Sequence, residues 1–182
     1  MNDNNELTHF SADGRARMVD VSQKGSTQRT AIASGVLRMQ SATLARIHAG
    51  QIAKGNVLAV ADVAAVMAAK ETSRLIPMCH SIALTGVDVA FSDVTEPDAA
   101  GCVGIKVATT ARCVGQTGIE MEALCAASAA LLTIYDMCKA IDRGMRIESV
   151  QLDEKHGGKG GVWRRSENPP EIGGSCKTDG SE

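Results

Sequence analysis

Residues 82–107 read IALTGVDVAFSDVTEPDAAGCVGIKV, and this stretch decides the fold. Leu84, Val87, Val89 and Phe91 supply apolar positions with Asp88 and Ser92 beside them, and Val103, Ile105 and Val107 alternate with Gly104 and Lys106. The period is that of half-buried strands, and the link between them, TEPDAAG over 95–101, has turn chemistry. The stretch is therefore a β-hairpin.

Helical patterns lie on either side. Upstream, residues 58–75 are Ala-rich with apolar side chains at 60, 63, 64, 66 and 67, and Pro77 stops the helix they predict. Before it comes a short helix over 42–50, with Ser41 as N-cap and Gly50 as stop, and before that a strand over 30–40. Downstream, a long helix over 118–143 is closed by Gly144, and Ile147, Val150 and Leu152 mark a last strand over 146–153. The order βαββαβ predicts an α+β ferredoxin-like sandwich, an antiparallel sheet with helices on one face.

The 182 residues suffice for one domain with extensions. We divide them into an N-terminal arm (1–30), the ferredoxin-like domain (31–154) and a glycine-rich flexible tail (155–182) whose start is a candidate contributor to a functional site. Phe10, Phe91, Tyr135 and Trp163 are the only aromatics, so the core is built from Ala, Val, Ile, Leu and Met. That scarcity and a net charge of −2 argue against a nucleic-acid partner. The longest runs without Asp, Glu, Lys or Arg span 13 residues, short of a membrane span, and the acidic start MNDNNELTHF is no secretory signal; a cytoplasmic protein is expected. The six cysteines form no CxxC pair or zinc-finger spacing, so they read as thiols of a reducing compartment, and no metal site is expected.

The long helix has two apolar sides. Leu124, Ala127, Leu131, Ile134, Cys138 and Ile141 form a core stripe. The opposite side carries charge only near its ends, at Glu122 and at Asp136, Lys139 and Arg143, and its middle is small or apolar. This second side also packs against something, and another subunit is the expected partner. Glu122 and Lys139 stand about 25 Å apart along the axis and cannot share a small pocket within one copy. Two antiparallel copies would bring one chain's Glu122 towards the other's Asp136 and Lys139, making a site shared across a symmetric dimer.

Several groups are candidates for chemistry, each with a plainer explanation beside it. His80, after the Pro77 stop, is placed to reach a pocket, or it is an ordinary surface or core histidine. Glu120 and Glu122 open a helix after the glycine-rich turn GQTG, where carboxylates also serve as helix-end charges. Asp136 and Lys139 are neighbours on one face, which also describes a surface ion pair. The run KHGGKGG over 155–161 suits a phosphate or a linker, but GxxxxGK[ST] is missing.

Four segments together are more specific: MVDVS (18–22), LIPMCH (75–80), TGIEMEAL (117–124) and LTIYDMCKA (132–140), with Lys54-Gly55 and KHGGK (155–159) in matching places. In this order they resemble the molybdenum cofactor biosynthesis protein C family, the cyclic pyranopterin monophosphate synthases, over residues 7–161. The resemblance implies a ferredoxin-like fold and a homohexamer, a trimer of dimers with active sites at subunit contacts. It implies a small nucleotide-derived substrate, (8S)-3′,8-cyclo-7,8-dihydroguanosine 5′-triphosphate, converted to cyclic pyranopterin monophosphate and diphosphate by a lyase.

By matching positions, the resemblance implies Asp136 as general acid/base, Lys139 beside it and Lys54 as catalytic groups. It implies a substrate pocket of Met78, Cys79, His80, Met121 and Glu122, with Glu120 and Lys155 assisting. Cations at Lys54, Lys139 and Lys155 suit a triphosphate and a departing diphosphate. No cofactor is implied, the radical chemistry belonging to an earlier step; whether Mg2+ accompanies the triphosphate is open. The chain departs from the family at Ser81, where proline is frequent, and at Cys125, where a hydroxyl residue is common. Two other readings stand beside this one: an inactive ligand-binding relative, and a phosphate-releasing lyase acting on another nucleotide.

Overall fold

A computed structural model of the chain describes residue 15 and residues 17–166. Phe10, Cys176, most of the first half of the expected arm and the end of the expected tail lie outside the described residues. Along the chain come β1 (Thr27–Met39), α1 (Ser41–His48), α2 (Val57–Leu75), β2 (Leu84–Val94), β3 (Val103–Gly115), α3 (Glu120–Cys138), β4 (Arg146–His156) and β5 (Trp163–Arg164). All described strand pairs are antiparallel, in the order β2-β3-β1-β4-β5. The first four strands thus follow the split βαβ plan that the hairpin between two helical stretches predicts. β3 runs on to Gly115, and β4 reaches His156, with β5 pairing Trp163 to Lys155 inside the glycine-rich segment.

Small residues let the helices approach closely. Ala61, Ala65 and Ala69 recur every fourth position of α2, and Ala123, Ala126, Ala127 and Ala130 face inward on α3, all of them buried. Leu37, Met39, Ile105, Val107, Leu131 and Ile134 fill the layer between helices and sheet. A second cluster, with Ala31, Ala33, Ala111, Cys113, Ile119 and Ala123, lies under the start of α3.

Three details differ from expectation. α3 ends at Cys138 instead of Arg143, and Ile141 is exposed beyond it. Leu124 is only half-buried, whereas Glu122, assigned to the second side, is buried. Ser41 stands at the first helical position of α1, with Gln40 at the N-cap. By length and composition α3 could cross a membrane, yet half of that window is buried, as in a core helix. Val60, Val63 and Met67 on α2 and Leu132 on α3 leave an apolar surface exposed on the helical layer.

Candidate functional site

At the C-terminal end of α3, Asp136 sits between two lysines. Lys54 Nζ donates to Asp136 Oδ2 at 2.7 Å and to the Asp136 backbone carbonyl at 2.9 Å. Lys139 Nζ lies 2.7 Å from the other carboxylate oxygen, Oδ1. The local structure explains the meeting. The last carbonyls of a helix lack amide partners and attract cations, and Lys54 reaches one of them from the loop after α1. Lys139 follows one turn after Tyr135, its amide donating to the Tyr135 carbonyl at 2.8 Å. All three side chains are about half exposed. Hydrogen bonds from Lys139 and then Lys54 hold the Asp136 carboxyl down to about 2, and the bond to Asp136 raises Lys139. At neutral pH this is a carboxylate carrying two ammonium groups.

The remaining candidates gather at the opposite end of α3. Met78, Cys79, His80, Glu120, Met121 and Glu122 line a cavity of about 410 Å³. Its other walls include Val19, Val21 and Lys24, so the MVDVS segment packs over it. His80 Nε2 lies 2.8 Å from the Val19 carbonyl oxygen, an N–H···O bond in the tautomer that carries the proton there. Burial pushes the Glu122 carboxyl up, and the nearby charge of Glu120 adds to this against a bond from its own amide. Burial also raises the Cys79 thiol, with Glu122 and Cys125 adding to it. Lys155 Nζ pairs with Glu120 Oε1 at 3.3 Å.

A second cavity of about 440 Å³ shares Lys24, Thr117 and Gly118 with the first and adds Arg29, Gly158 and Lys159. Arg29 donates to the Gly115 and Gln116 carbonyls, both at 3.2 Å, which aims it along the turn before α3. Gly157 and Gly158 have positive φ, and a Cβ on Gly158 would strike the Arg29 guanidinium; only glycine lets β4 turn past this arginine. Lys24 and Arg29 were not among the sequence candidates, because their segment reads as a polar arm. Their only signal is position, Lys24 just after MVDVS and Arg29 at the start of β1.

The structure thus brings the ten candidates into two groups, one of Lys54, Asp136 and Lys139 and one around Glu122, at opposite ends of a 19-residue helix. Such a helix is about 27 Å long, so no small substrate touches both groups of one copy. Among the described residues, no group of three or more His, Cys, Asp or Glu side chains is placed to hold a metal ion.

Comparison with known proteins adds an independent line. The model of the MoaC family matches residues 18–158. The cyclic pyranopterin monophosphate synthase of Listeria monocytogenes serovar 1/2a is 55% identical over 159 residues, covering 87% of this chain and 96% of the relative. That of Limosilactobacillus fermentum is 56% identical over 163 residues, 90% of this chain and 95% of its own length. That of Thermoanaerobacter sp. strain X514 is 55% identical over 159 residues, 87% and 98% of the two lengths.

Proposed function

The chain belongs to the MoaC family, and we propose that it is a cyclic pyranopterin monophosphate synthase, a lyase of molybdenum cofactor biosynthesis. One observation carries the reading at the level of chemistry: a single exposed carboxylate held between two lysines, Asp136 with Lys54 and Lys139. A scaffold gains little from such a cluster, since exposed ion pairs add little to stability. A reaction that expels diphosphate uses it directly.

The substrate is (8S)-3′,8-cyclo-7,8-dihydroguanosine 5′-triphosphate. A hydroxyl oxygen bonds to the α-phosphorus, the bond from that phosphorus to the β-phosphate's bridging oxygen breaks, and diphosphate leaves with the electron pair and takes up the hydroxyl's proton. Lys54 and Lys139 neutralise the charge that develops on the leaving group. Held near 2, Asp136 is a weak base at neutral pH. Triphosphate oxygens compete for its lysines, and drawing either one away lifts the carboxyl towards its ordinary range. Asp136 and Lys139 then exchange protons during ring rearrangement. The cavity of Met78, Cys79, His80, Met121 and Glu122 receives the purine-derived ring system, with Glu120 and Lys155 at its edge. Lys24, Arg29 and Lys159 offer further cations for phosphate oxygens. The protein works without a resident cofactor, and any Mg2+ arrives with the triphosphate.

The assembly we propose is a hexamer, a trimer of dimers, working in the cytoplasm. It is supported by the separation of the two groups along α3 and by the exposed Val60, Val63, Met67 and Leu132 beside them. Crossing a second copy over the helical layer covers apolar surface and brings one chain's lysine cluster to the other's cavity.

The test is direct conversion. Purified protein is mixed with the cyclised dihydro-GTP, and cyclic pyranopterin monophosphate and diphosphate are followed together. Equal amounts of both are expected, and Lys139→Ala and Asp136→Asn are each expected to lower turnover at least about a hundredfold with assembly unchanged. Binding without conversion would indicate an inactive relative. Conversion of a different nucleotide alone would move the substrate assignment.

A further inference from the structure

We propose that Asp142 is a positioning residue for the lysine cluster: its buried carboxylate ties the turn that carries Lys139 to the start of the helix that leads to Lys54. The proposal rests on the synthase reading for its kinetic consequence, but not for its geometry.

Asp142 is 2% exposed, while Lys139, three residues before it, and Asp136 are about half exposed. Its Oδ2 accepts from the Gln40 amide at 2.9 Å and from Thr43 Oγ1 at 3.0 Å, and its Oδ1 accepts from the Gly144 amide at 3.2 Å. Gln40 is the N-cap of α1, and its own side chain makes no capping bond. In a capping box, an acidic or amide side chain one turn into the helix accepts the N-cap amide. Here that place is taken by Thr43, and the acceptor arrives from a residue about a hundred positions away in sequence. α1 has eight residues and no acidic group in its first turn, so it does not hold its place alone.

The tie closes a ring of contacts. From Lys139, the chain turns through the Ile141 and Asp142 amides, which both donate to the Cys138 carbonyl, at 2.9 and 3.1 Å. Asp142 then grips α1. α1 leads through the buried Ile52 to Lys54, and Lys54 returns to Asp136 on α3. Both lysines are long and flexible, so their separation is set by where their backbones are pinned. One pin is Asp142, and it belongs to neither lysine's ion pair. Displacements near 1 Å in a catalytic constellation cost up to about a hundredfold in rate.

Asp142→Ala is compared with Asp142→Asn, Thr43→Val and Asp98→Ala. Asp98 is the control: it too accepts backbone amides, from Ala100 and Cys102, but in the β2–β3 hairpin. Folding is followed by circular dichroism and assembly by light scattering. Asp142→Ala is expected to lower kcat roughly tenfold to a hundredfold with KM changed less than about threefold. Asp142→Asn keeps an oxygen for Gln40 and Thr43 and is expected to recover most of that loss. Asp98→Ala is expected to leave kcat unchanged. A folded Asp142→Ala with wild-type kcat would overturn the proposal, as would an equal kcat loss in Asp98→Ala. If Asp142→Ala does not fold, Thr43→Val, which removes one of the three bonds, decides in the same way through kcat. If the wild type does not convert the substrate, the functional reading fails and the tie is still tested by carbon NMR. The Asp136 carboxyl, near 2 in the intact cluster, is expected to titrate higher in the Asp142 or Thr43 variant, and an unmoved titration would overturn the tie.

Discussion

Glu122 and Asp136 are carboxylates on one helix whose surroundings push them in opposite directions. Asp136 gains two ammonium partners and is held down, whereas Glu122 loses solvent and is pushed up. Each direction has a consequence for pH. Below its ordinary range Glu122 is protonated both folded and unfolded and costs nothing. As pH rises, the unfolded carboxyl ionises first, and a penalty on the folded state builds up until the folded group follows, then stays in full at higher pH. Glu122→Gln is therefore expected to raise the melting temperature at pH 7, the gap closing below about pH 4. Thermal melts at both pH values check it, and the same variant is expected to lose turnover because its side chain lines the cavity. For Asp136 the sign reverses. The stabilisation from its lysines is complete above about pH 4, the ordinary range, and disappears as pH falls towards 2. Lys54→Ala is expected to move the Asp136 titration upward, read by carbon NMR.

At the scale of elements, the sequence is most legible where a segment's own pattern decides its structure. The alternation through Val87, Val89 and Phe91 and the helix stop before Pro77 are local, and β2 and α2 appear there. The end of α3 is not local. Spacing carries the helix to Arg143, but Lys54 takes the Asp136 carbonyl and α1 takes the Asp142 carboxylate, and both contacts come from distant sequence. β3 outruns its apolar alternation for a related reason: Thr109 is buried because its hydroxyl donates to the Ala123 carbonyl of α3 at 2.8 Å. Gly35 shows the same limit. In sequence it weakens a strand, but in the fold it lies where β4 bulges around Ser149, and a Cβ would come within 2.7 Å of Leu131 and 3.0 Å of Val150. Gly35→Ala is expected to lower stability by about 1–3 kcal/mol, since the buried Leu131 side chain and that of Val150 must shift to make room. Gly25, with open space around it, is the comparison, and urea denaturation midpoints of the two alanine variants check the difference.

For the whole molecule, the most telling feature is that one chain holds two groups of candidate residues too far apart to meet on one small substrate. Periodicity alone exposes this, because Glu122 and Asp136 share a helix and a rise of 1.5 Å per residue places them about 21 Å apart. Sequence does not reveal how the cavity is roofed. The MVDVS segment is a short apolar-acidic stretch in an otherwise polar arm, and only its packing over Met78, His80 and Glu122 makes it a wall. If the working site joins the lysine cluster of one protomer to the cavity of its partner, two inactive variants must repair each other. Lys139→Ala removes the first half-site and Glu122→Gln the second. A mixed dimer then has one site with both defects and one site with neither. Mixing the two variants under conditions that exchange subunits is expected to restore about a quarter of wild-type turnover, half of the dimers being mixed and each carrying one intact site of two. Each variant alone stays inactive. A mixture that exchanges subunits, shown by mass spectrometry of differently tagged chains, and yet remains inactive would place the whole reaction within one protomer. The 27 Å span of α3 would then have to be bridged by a rearrangement of the chain itself.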